Sequence, residues 1–192
     1  MTLAVNLKKA RIIDAALELF ADRGFHGTNV PDIAKLANVG TGTIYRYFKN
    51  KEELVNTVYQ LYVNKLYDSI TLQFPATIAT YEQYQFIMKR LILFAKENKK
   101  AFVFMETHNH RDYLDSQSVS EMKKLENFLC VFINRGVEAK QLRANLSCEV
   151  LIAIVYGAYV AIFKRIEAGT IRESQQIIEG FIQSGWDAIK RT

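Results

Sequence analysis

The chain has 192 residues, 49% of them hydrophobic with 12 Phe and 10 Tyr, so it can bury a sizeable core without metal or disulfide support. Two prolines and nine glycines are few for a protein of short strands and tight turns, which excludes most all-β architectures and favours long helices. A net charge of +5 favours a polyanionic partner without locating where that partner would bind.

Three features bear on the cellular compartment. Residues 1–6 lack the charged start and apolar core of a signal peptide. The uncharged run 150–163 is shorter than the ~20 apolar residues that a membrane-spanning helix needs. Cys130 and Cys148 have no metal-ligand spacing, and we predict that they are small buried thiols in a reducing compartment. We therefore expect a cytoplasmic protein with no membrane segment and no cofactor.

Apolar residues recur at three- and four-residue intervals along most of the chain, which is the pattern of amphipathic helices. Nine helices are predicted, at about 8–23, 30–38, 41–48, 51–74, 80–98, 100–111, 118–139, 147–167 and 171–190. Gly24 should end the first helix and Pro75 the fourth, which starts at the capping pair Asn50 and Glu53. Later helix starts carry the capping pairs Thr80 with Gln83, Ser118 with Glu121 and Thr170 with Glu173, and the single cap Ser147.

Residues 29–48 have the pattern of two short helices joined by a tight turn. An apolar set is spaced to pack one helix across the other: Ile33, Ala34, Ala37, Val39, Ile44 and Phe48. Asn38, in the turn, is one of the few non-glycine residues that tolerate the left-handed backbone such a turn requires. A helix pair of this kind lays its second helix in the major groove of DNA, where the base edges carry a readable pattern of donors and acceptors.

The wider sequence resembles the N-terminal signature of the TetR family of bacterial transcriptional regulators. The matching runs, within residues 8–54, are Arg11-Ile-Ile-x-Ala-Ala-x-x-Leu-Phe20, Gly24, Val30-x-Asp-Ile-Ala34, Ala37-x-Val39 and Gly42-Thr-Ile-Tyr-x-Tyr-Phe-x-x-Lys51-x-x-Leu54. The resemblance implies an all-α homodimer that binds a double-stranded DNA operator, commonly as a repressor that a small molecule releases. Two positions depart from the family: Asn38 stands where Gly is usual, and Gly40 where Ser or Thr is frequent, so one hydroxyl contact is missing.

The expected fold class is therefore all-α, with a three-helix DNA-binding module that contains the helix-turn-helix and a larger helical bundle for effector binding and dimerisation. The module is expected at residues 1–53 and the bundle at 54–192. Beyond residue 54 the chain resembles the family only in its helical pattern and its length.

Residue chemistry and the family pattern together mark a DNA-contacting set: Thr28, Asn29, Gly40, Thr41, Gly42, Thr43, Tyr45, Arg46, Tyr47 and Lys51. The family pattern assigns Thr41 and Thr43 to base edges or nearby phosphates. Two roles stay open for Arg46, a bidentate contact to a guanine edge and the neutralisation of a phosphate. Gly42 is expected to let the backbone approach the DNA closely.

The remaining members of this set are expected to contact phosphates. Tyr45 and Tyr47 carry suitable hydroxyls, although their rings could instead pack in the core. Lys51 lies in the first turn of the fourth helix, where a cation opposes the helix dipole unless a phosphate faces it. Thr28 and Asn29 would present polar groups and backbone N–H groups at a helix start. The basic residues Lys8, Lys9 and Arg11 form either an arm beside the DNA or a solvated terminus.

Aromatic residues at helical spacing in the second half of the chain form either plain core or the lining of an apolar effector cavity. The candidate lining residues are Tyr62, Phe86, Phe104, His108, His110, Phe128, Tyr156 and Tyr159. Glu106, His108, His110 and Asp112 form pairs on a continuous helix. A metal needs at least three convergent ligands, so plain polar surface is expected there, with effector hydrogen bonding and metal binding as alternatives.

The last two helices are the expected dimer interface. The candidate residues are Ile154, Ala158, Ile162, Ile178, Phe181, Ile182 and Trp186. Gly157 and Gly185 would allow close helix approach, and paired helices across a two-fold axis would set two DNA modules against successive grooves. In a monomer the apolar stripe of the last helix would instead face inward.

Three other functions compete with that of a regulator. An enzyme is disfavoured, because no phosphate-binding loop, metal-ligand series or nucleophile–base arrangement can be found. A helical carrier of hydrophobic ligands leaves the pattern at 29–54 unexplained. A DNA-binding protein that organises chromosomes or cell division shares the DNA end of the molecule and differs in having no effector pocket.

Overall fold

The computed structural model describes residues 2–109 and 111–191, with side chains from Leu7 onward. This part of the chain forms nine helices and no strand, which confirms the all-α fold class. The helices are α1 (Thr2–Arg23), α2 (Val30–Leu36), α3 (Thr41–Tyr45), α4 (Lys51–Thr71), α5 (Thr80–Glu97), α6 (Lys99–His108), α7 (Ser116–Glu138), α8 (Cys148–Glu167) and α9 (Gln175–Ile189).

The turn and cap predictions in the first fifty residues are confirmed. Gly24 follows α1 with a φ of 68°, and Asn38 has a φ of 52° in the turn between α2 and α3. Asn50 caps α4 by accepting a hydrogen bond from the Glu53 N–H at 2.8 Å. In a capping box the Glu53 carboxylate would accept a hydrogen bond from the Asn50 N–H. Here it accepts from the Lys49 N–H, one residue earlier.

Later helix starts differ from the prediction because neighbouring side chains take the capping role. Asp115, and not Ser118, accepts the hydrogen bond from the first turn of α7. Ser174 caps α9, so this helix begins later than expected from Thr170. Ser147 stands at the cap position of α8, as predicted, but makes no side-chain cap bond there. Several polar residues close together make the choice of cap ambiguous in sequence.

The described chain divides into two compact units, and unit 1 comprises the residues up to Leu72 together with Leu91–Lys123. In unit 1, α1 packs against α2, α4 and α6, and α2 packs against α3. Its core includes the fully buried rings of Phe20, Tyr59 and Phe104. At the surface, the Lys100 ammonium lies 3.1 Å from a carboxylate oxygen of Glu18, which links α6 to α1.

A buried polar network holds the start of α7 against α4 in unit 1. The Asn56 amide donates to the carbonyls of Glu52 and Tyr113, each at 2.8 Å. Its oxygen accepts from the Asp115 N–H at 2.8 Å and the Ser118 hydroxyl at 2.7 Å. All four hydrogen-bonding positions of this amide are therefore used, as a buried polar side chain requires. No sequence pattern indicated this network.

Unit 2 comprises Gln73–Arg90 and the residues from Lys124 onward. Here α8 packs against α9. The ring of Trp186 lies 5.1 Å from that of Tyr81 and 5.5 Å from that of Tyr84, while the Tyr84 hydroxyl donates to the carbonyl of Ile182 at 3.0 Å. A side chain at Gly185 would collide with the Tyr84 hydroxyl, so this glycine is needed for the approach of α5 and α9.

The prediction of two buried free thiols is wrong. Cys130 on α7 and Cys148 on α8 are joined in a disulfide, with Cα atoms 5.2 Å apart, and both residues are half-buried. Sequence spacing could not reveal this pairing, because it depends on how α7 and α8 pack. Over the described residues, no helix is both long and apolar enough to cross a bilayer.

Candidate nucleic-acid interface

The helix-turn-helix is built on the predicted apolar core. Ile33, Ile44 and Phe48 are almost completely buried, and Val39 is half-buried at the turn. Asn29 caps α2 by accepting from the Asp32 N–H at 2.8 Å. These contacts hold α3 rigidly across α2, which is the arrangement in which a short helix can enter a major groove.

Helix α3 presents its polar residues outward. Gly42, Tyr45 and Arg46 are exposed, and the Tyr45 side chain is 54% exposed. Thr41 and Thr43 are half-buried. Gly42 has open space where a side chain would stand, which is compatible with the expected close approach of DNA backbone. Gly40 is the cap of α3 and has no side chain to bond the helix N–H groups.

The Thr28 side chain is buried and its hydroxyl is not presented at the surface, contrary to the prediction. The residue is 2% exposed, and its hydroxyl donates to the carbonyls of Gly24 at 2.8 Å and Leu19 at 3.0 Å. The carbonyl of Leu19 lies in the last turns of α1, and that of Gly24 lies directly after the helix. Thr28 therefore stabilises the α1–α2 connection, whereas Asn29 beside it is exposed.

The Lys51 side chain is also held by contacts within the protein. Its ammonium donates to the carbonyls of Phe25 at 2.8 Å and Thr28 at 2.9 Å and lies 4.1 Å from the centre of the Phe25 ring. These contacts explain a cation in the first turn of α4 without a phosphate in front of it. These bonds form a bridge from α4 to the loop after α1, and a phosphate contact through the third N–H of the ammonium stays a prediction.

We expect Lys51→Met to lower the stability of the fold, because two charge-assisted hydrogen bonds are lost from a half-buried site. The expected loss is about 2 kcal/mol, or a fall in melting temperature of about 4–8 °C. Thermal unfolding followed by circular dichroism measures it. Lys49→Met, at an exposed neighbouring lysine, is the control and should leave the melting temperature unchanged. An unchanged melting temperature in Lys51→Met would contradict the structural role.

Basic residues near the start of the chain lie on α1 and do not form a separate arm. Lys8, Lys9 and Arg11 are exposed helical residues. The ammonium of Lys9 lies 5.7 Å from the centre of the Phe48 ring, just beyond α3. Lys9 is thus close to the helix-turn-helix, a position that the sequence left open.

The candidate ligand residues fall in different parts of the fold. Tyr62, Phe104 and His108 belong to unit 1, whereas Phe86, Phe128, Tyr156 and Tyr159 belong to unit 2. His110 lies outside the described residues. Phe86 and Phe128 each contact the ring of Phe74, at 6.0 Å and 5.1 Å between centres. Their assignment to an effector site stays a prediction.

His108 is not part of a polar surface, contrary to the expectation for its cluster. Helix α6 ends at this residue, so the continuous helix expected through Asp112 is absent. His108 is 1% exposed, and its ring centre lies 4.2 Å from that of Phe104 and 6.2 Å from that of Phe20. Tertiary packing, and not sequence periodicity, placed this imidazole in the aromatic core of unit 1.

The two nitrogens of His108 are in different situations. Nδ1 donates to the carbonyl of Phe104 at 2.9 Å, because a carbonyl can only accept. In the neutral imidazole a donating Nδ1 leaves the lone pair on Nε2, which is buried and has no hydrogen-bond partner. Burial lowers the pKa of His108, which favours this neutral form. A buried acceptor without a donor is a position where a ligand hydroxyl or other donor group would be favourable.

Among the residues that the structure describes, only Cys130, Cys148 and Glu149 bring three potential metal-binding atoms together. The two sulfur atoms of that group are bonded to each other. A disulfide sulfur is a poor metal ligand compared with a thiolate. The cluster at Glu106 does not supply such a group within the described part of the chain.

An apolar groove of about 760 Å³ lies between α8 and α9 in unit 2. It is lined by Ile154, Ala158, Ile162, Ile177 and Phe181, among others. Ile154 is 38% and Ile177 41% exposed, a considerable apolar surface for the outside of a protein.

Two of the predicted interface residues are directed elsewhere. Ile182 is 3% exposed and packs inside unit 2, and the half-buried Trp186 lies against the tyrosine rings of α5. Gly157 has open space around it and remains available to a neighbouring helix, unlike Gly185, whose space is taken by Tyr84. The predicted stripe on α9 therefore divides into an inward part and a part that lines the groove.

Comparison with known protein families covers nearly all of the chain. Residues 12–58 match the family described as bacterial regulatory proteins, tetR family, and residues 59–191 match the tetracyclin repressor-like C-terminal domain. A curated relative, the fatty acid metabolism regulator protein of Bacillus subtilis (strain 168), is 26% identical over 152 residues, which are 78% of this chain and 78% of the relative.

Solved structures share the fold along the whole chain. A TetR family transcription regulator from Marinobacter aquaeolei VT8 superposes with a TM-score of 0.89 at 20% identity and covers 100% of both chains. FadR from Bacillus subtilis, solved in complex with stearoyl-CoA, gives a TM-score of 0.71 at 18% identity over 93% of this chain and 95% of that one. With two family matches that together span residues 12–191 and a helix-turn-helix packed as described, the chain belongs to the TetR family of DNA-binding transcriptional regulators, which are not enzymes.

Proposed function

We propose that the protein is a cytoplasmic homodimeric repressor that binds a pseudo-palindromic operator and is released from it by a small amphipathic effector. The observation that carries the proposal is the outward face of α3, where Thr41, Thr43 and Arg46 stand on a rigid helix pair. Such a helix places three or four side chains against base edges in one half-site.

The phosphate contacts are assigned anew in the light of the packing. Tyr45 and Asn29 are exposed and can donate to phosphate oxygens, and Lys9 adds a cation close to the same surface. Tyr47 is half-buried and has other interactions, so it contributes its hydroxyl only at the edge of this surface. Thr28 is left out, because its buried hydroxyl already bonds to backbone carbonyls. Lys51 contributes at most one N–H, because its other two donors bond to backbone carbonyls.

The groove between α8 and α9 supports the dimer. An exposed apolar face of this kind is costly in water and is typical of an interface between subunits. In a two-fold arrangement the same groove from each protomer would meet its copy, with Gly157 and Ala158 permitting close approach of the helices. Two recognition helices would then address two half-sites of one operator.

The effector class follows from His108 and from the relatives. The unpaired Nε2 of this buried imidazole can accept a hydrogen bond from a ligand, and the aromatic rings beside it favour apolar ligand groups. One relative is named as a regulator of fatty acid metabolism, and one solved structure holds stearoyl-CoA. We therefore propose as effector a fatty acid bound as the neutral carboxylic acid, whose O–H donates to Nε2, or a fatty acyl thioester whose carrier group supplies an N–H donor.

Selection of bound sequences from a random DNA pool tests the operator proposal. The expected product is a pseudo-palindrome, and the affinity for it should fall by roughly five decades per decade of salt if the dimer makes about six phosphate contacts. Recovery of asymmetric, unrelated sequences would contradict the proposal that the protein binds DNA as a symmetric dimer. A flat salt response would contradict the phosphate contacts.

We expect a saturated long-chain acyl-CoA or free fatty acid to raise the melting temperature and to release the selected operator, because a ligand that binds the folded state stabilises it. Thermal unfolding across chain lengths, followed by fluorescence anisotropy of labelled operator, measures both effects. His108→Phe keeps an aromatic ring and removes the hydrogen-bond acceptor. It should therefore weaken effector binding and leave operator binding unchanged. Operator binding that no fatty acid or acyl-CoA alters would contradict this effector class.

A further inference from the structure

We propose that Cys130 and Cys148 form a reversible redox pair that controls the start of α8, and that oxidation of the pair strengthens the association of the two subunits and thereby operator binding. The reversible oxidation of the two thiols does not depend on DNA binding. Only the cytoplasmic setting and the subunit and operator measurements rest on the proposed function.

The geometry of the pair is suited to repeated making and breaking of the bond. The two Cα atoms are 5.2 Å apart, inside the range that disulfides occupy, so no backbone movement is needed to close the bond. Both residues are half-buried and neither belongs to the fully buried core, so thiol exchange does not require the core to open. In a reducing cytoplasm such a bond is expected to be a regulated one.

The bond lies at the first turn of α8, whose start has no side-chain N-cap bond. Cys148 is the first residue of α8, and Ser147 at the cap position makes no side-chain bond to the helix N–H groups. Helix ends without such a cap fray readily. The bond to Cys130 therefore ties the first turn of α8 to α7, and its reduction removes that tie.

The residues that follow Cys148 belong to the exposed apolar face. Val150 is 44% exposed in the first turn of α8, and Ile154 lies one turn further along and lines the groove between α8 and α9. If the first turn is loose, subunit association must also order it, which weakens association. If the disulfide has already ordered it, that cost is absent. Oxidation should thus tighten the dimer, and a pseudo-palindromic operator binds the dimer more strongly than one subunit.

Glutathione disulfide is a sufficient oxidant for the bond. One cysteine thiolate attacks a sulfur of glutathione disulfide, releases one glutathione thiolate and leaves a mixed disulfide on the protein. The second cysteine then attacks the protein sulfur of that mixed disulfide and releases the second glutathione. The two thiol protons end on the two glutathione molecules. The cysteines lose two electrons, and glutathione disulfide gains them.

The test uses the full-length protein equilibrated in glutathione buffers of increasing oxidised fraction, with a chelator present. Maleimide labelling and intact mass count the thiols, analytical ultracentrifugation gives the dimer Kd, and anisotropy gives the affinity for the selected operator. We expect two thiols to appear and disappear together and reversibly. The dimer Kd should be about threefold to tenfold weaker after reduction, with operator affinity falling in the same direction.

The double variant Cys130→Ser/Cys148→Ser is the control and should resemble the reduced protein in every buffer. Thiols that never oxidise, a bond that excess dithiothreitol does not open, or an equal dimer Kd in both states would each overturn the proposal. Intact thiol cycling with a shifted dimer Kd but no operator binding in either state would support the redox pair and contradict the proposed function instead.

Discussion

Replacement of Arg46 by alanine should lower the affinity for the selected operator by roughly 30-fold to 10⁴-fold while the fold stays intact. The guanidinium lies at the exposed end of α3, and each dimer presents it twice. A bidentate contact to a guanine edge contributes about 1–3 kcal/mol of discrimination, so two such contacts contribute about 2–6 kcal/mol. Because the side chain is exposed, its removal should not change the melting temperature.

The measurement distinguishes base recognition from phosphate neutralisation. Anisotropy titrations of the wild type and Arg46→Ala are run on the operator and on unrelated duplex at several salt concentrations. Loss of specificity at one base pair per half-site supports the guanine contact. A uniform loss on both duplexes, with a shallower salt dependence, would instead assign the side chain to phosphate. Arg172→Ala, at an exposed arginine of unit 2, is the matched control.

Ala158→Glu is expected to separate the proposed dimer into monomers. Ala158 is exposed in the protomer and lines the apolar groove of α8 and α9, so the new carboxylate is harmless until two protomers meet. In the interface it would be a buried charge without a partner, which costs about 3 kcal/mol or more and weakens the dimer more than a hundredfold.

Light scattering at micromolar concentration checks this result. The wild type should have twice the 22.1 kDa mass of the chain, and Ala158→Glu should approach the single-chain mass. Operator affinity should fall as well, because a monomer engages one half-site. Ala76→Glu places the same charge on an exposed turn of unit 2 and should change neither mass nor affinity. If the Ala158→Glu protein were still dimeric, the subunit interface could not lie at this groove.

The helix-turn-helix was predictable because its signals are local. A capping side chain, a left-handed turn residue and an apolar spacing of three and four residues depend on neighbours within one or two turns. Asn38 and Gly24 accordingly adopt the left-handed backbone that their positions require. The outward residues of α3 are those left over once the apolar set has been assigned to the core.

The roles of single polar residues were less predictable. Thr28 and Lys51 carry the chemistry of phosphate contacts, but both bond to backbone carbonyls, Thr28 near the end of α1 and Lys51 in the loop that follows it. Asn56 looks like any polar residue in a long helix, yet it makes four hydrogen bonds to residues up to 62 positions away. Hydrogen-bond partners this distant in sequence produce no local sequence pattern that could predict them.

The amino-acid sequence by itself determined the all-α class, the nine helices, the helix-turn-helix and the family, since all of these depend on short-range spacing. Only the tertiary structure decided that His108 is buried, that Trp186 faces α5, and that Cys130 is bonded to Cys148. The physical reason is that burial and long-range bonding depend on which helix faces pack together. Helical periodicity identifies an apolar face but not the partner that covers it.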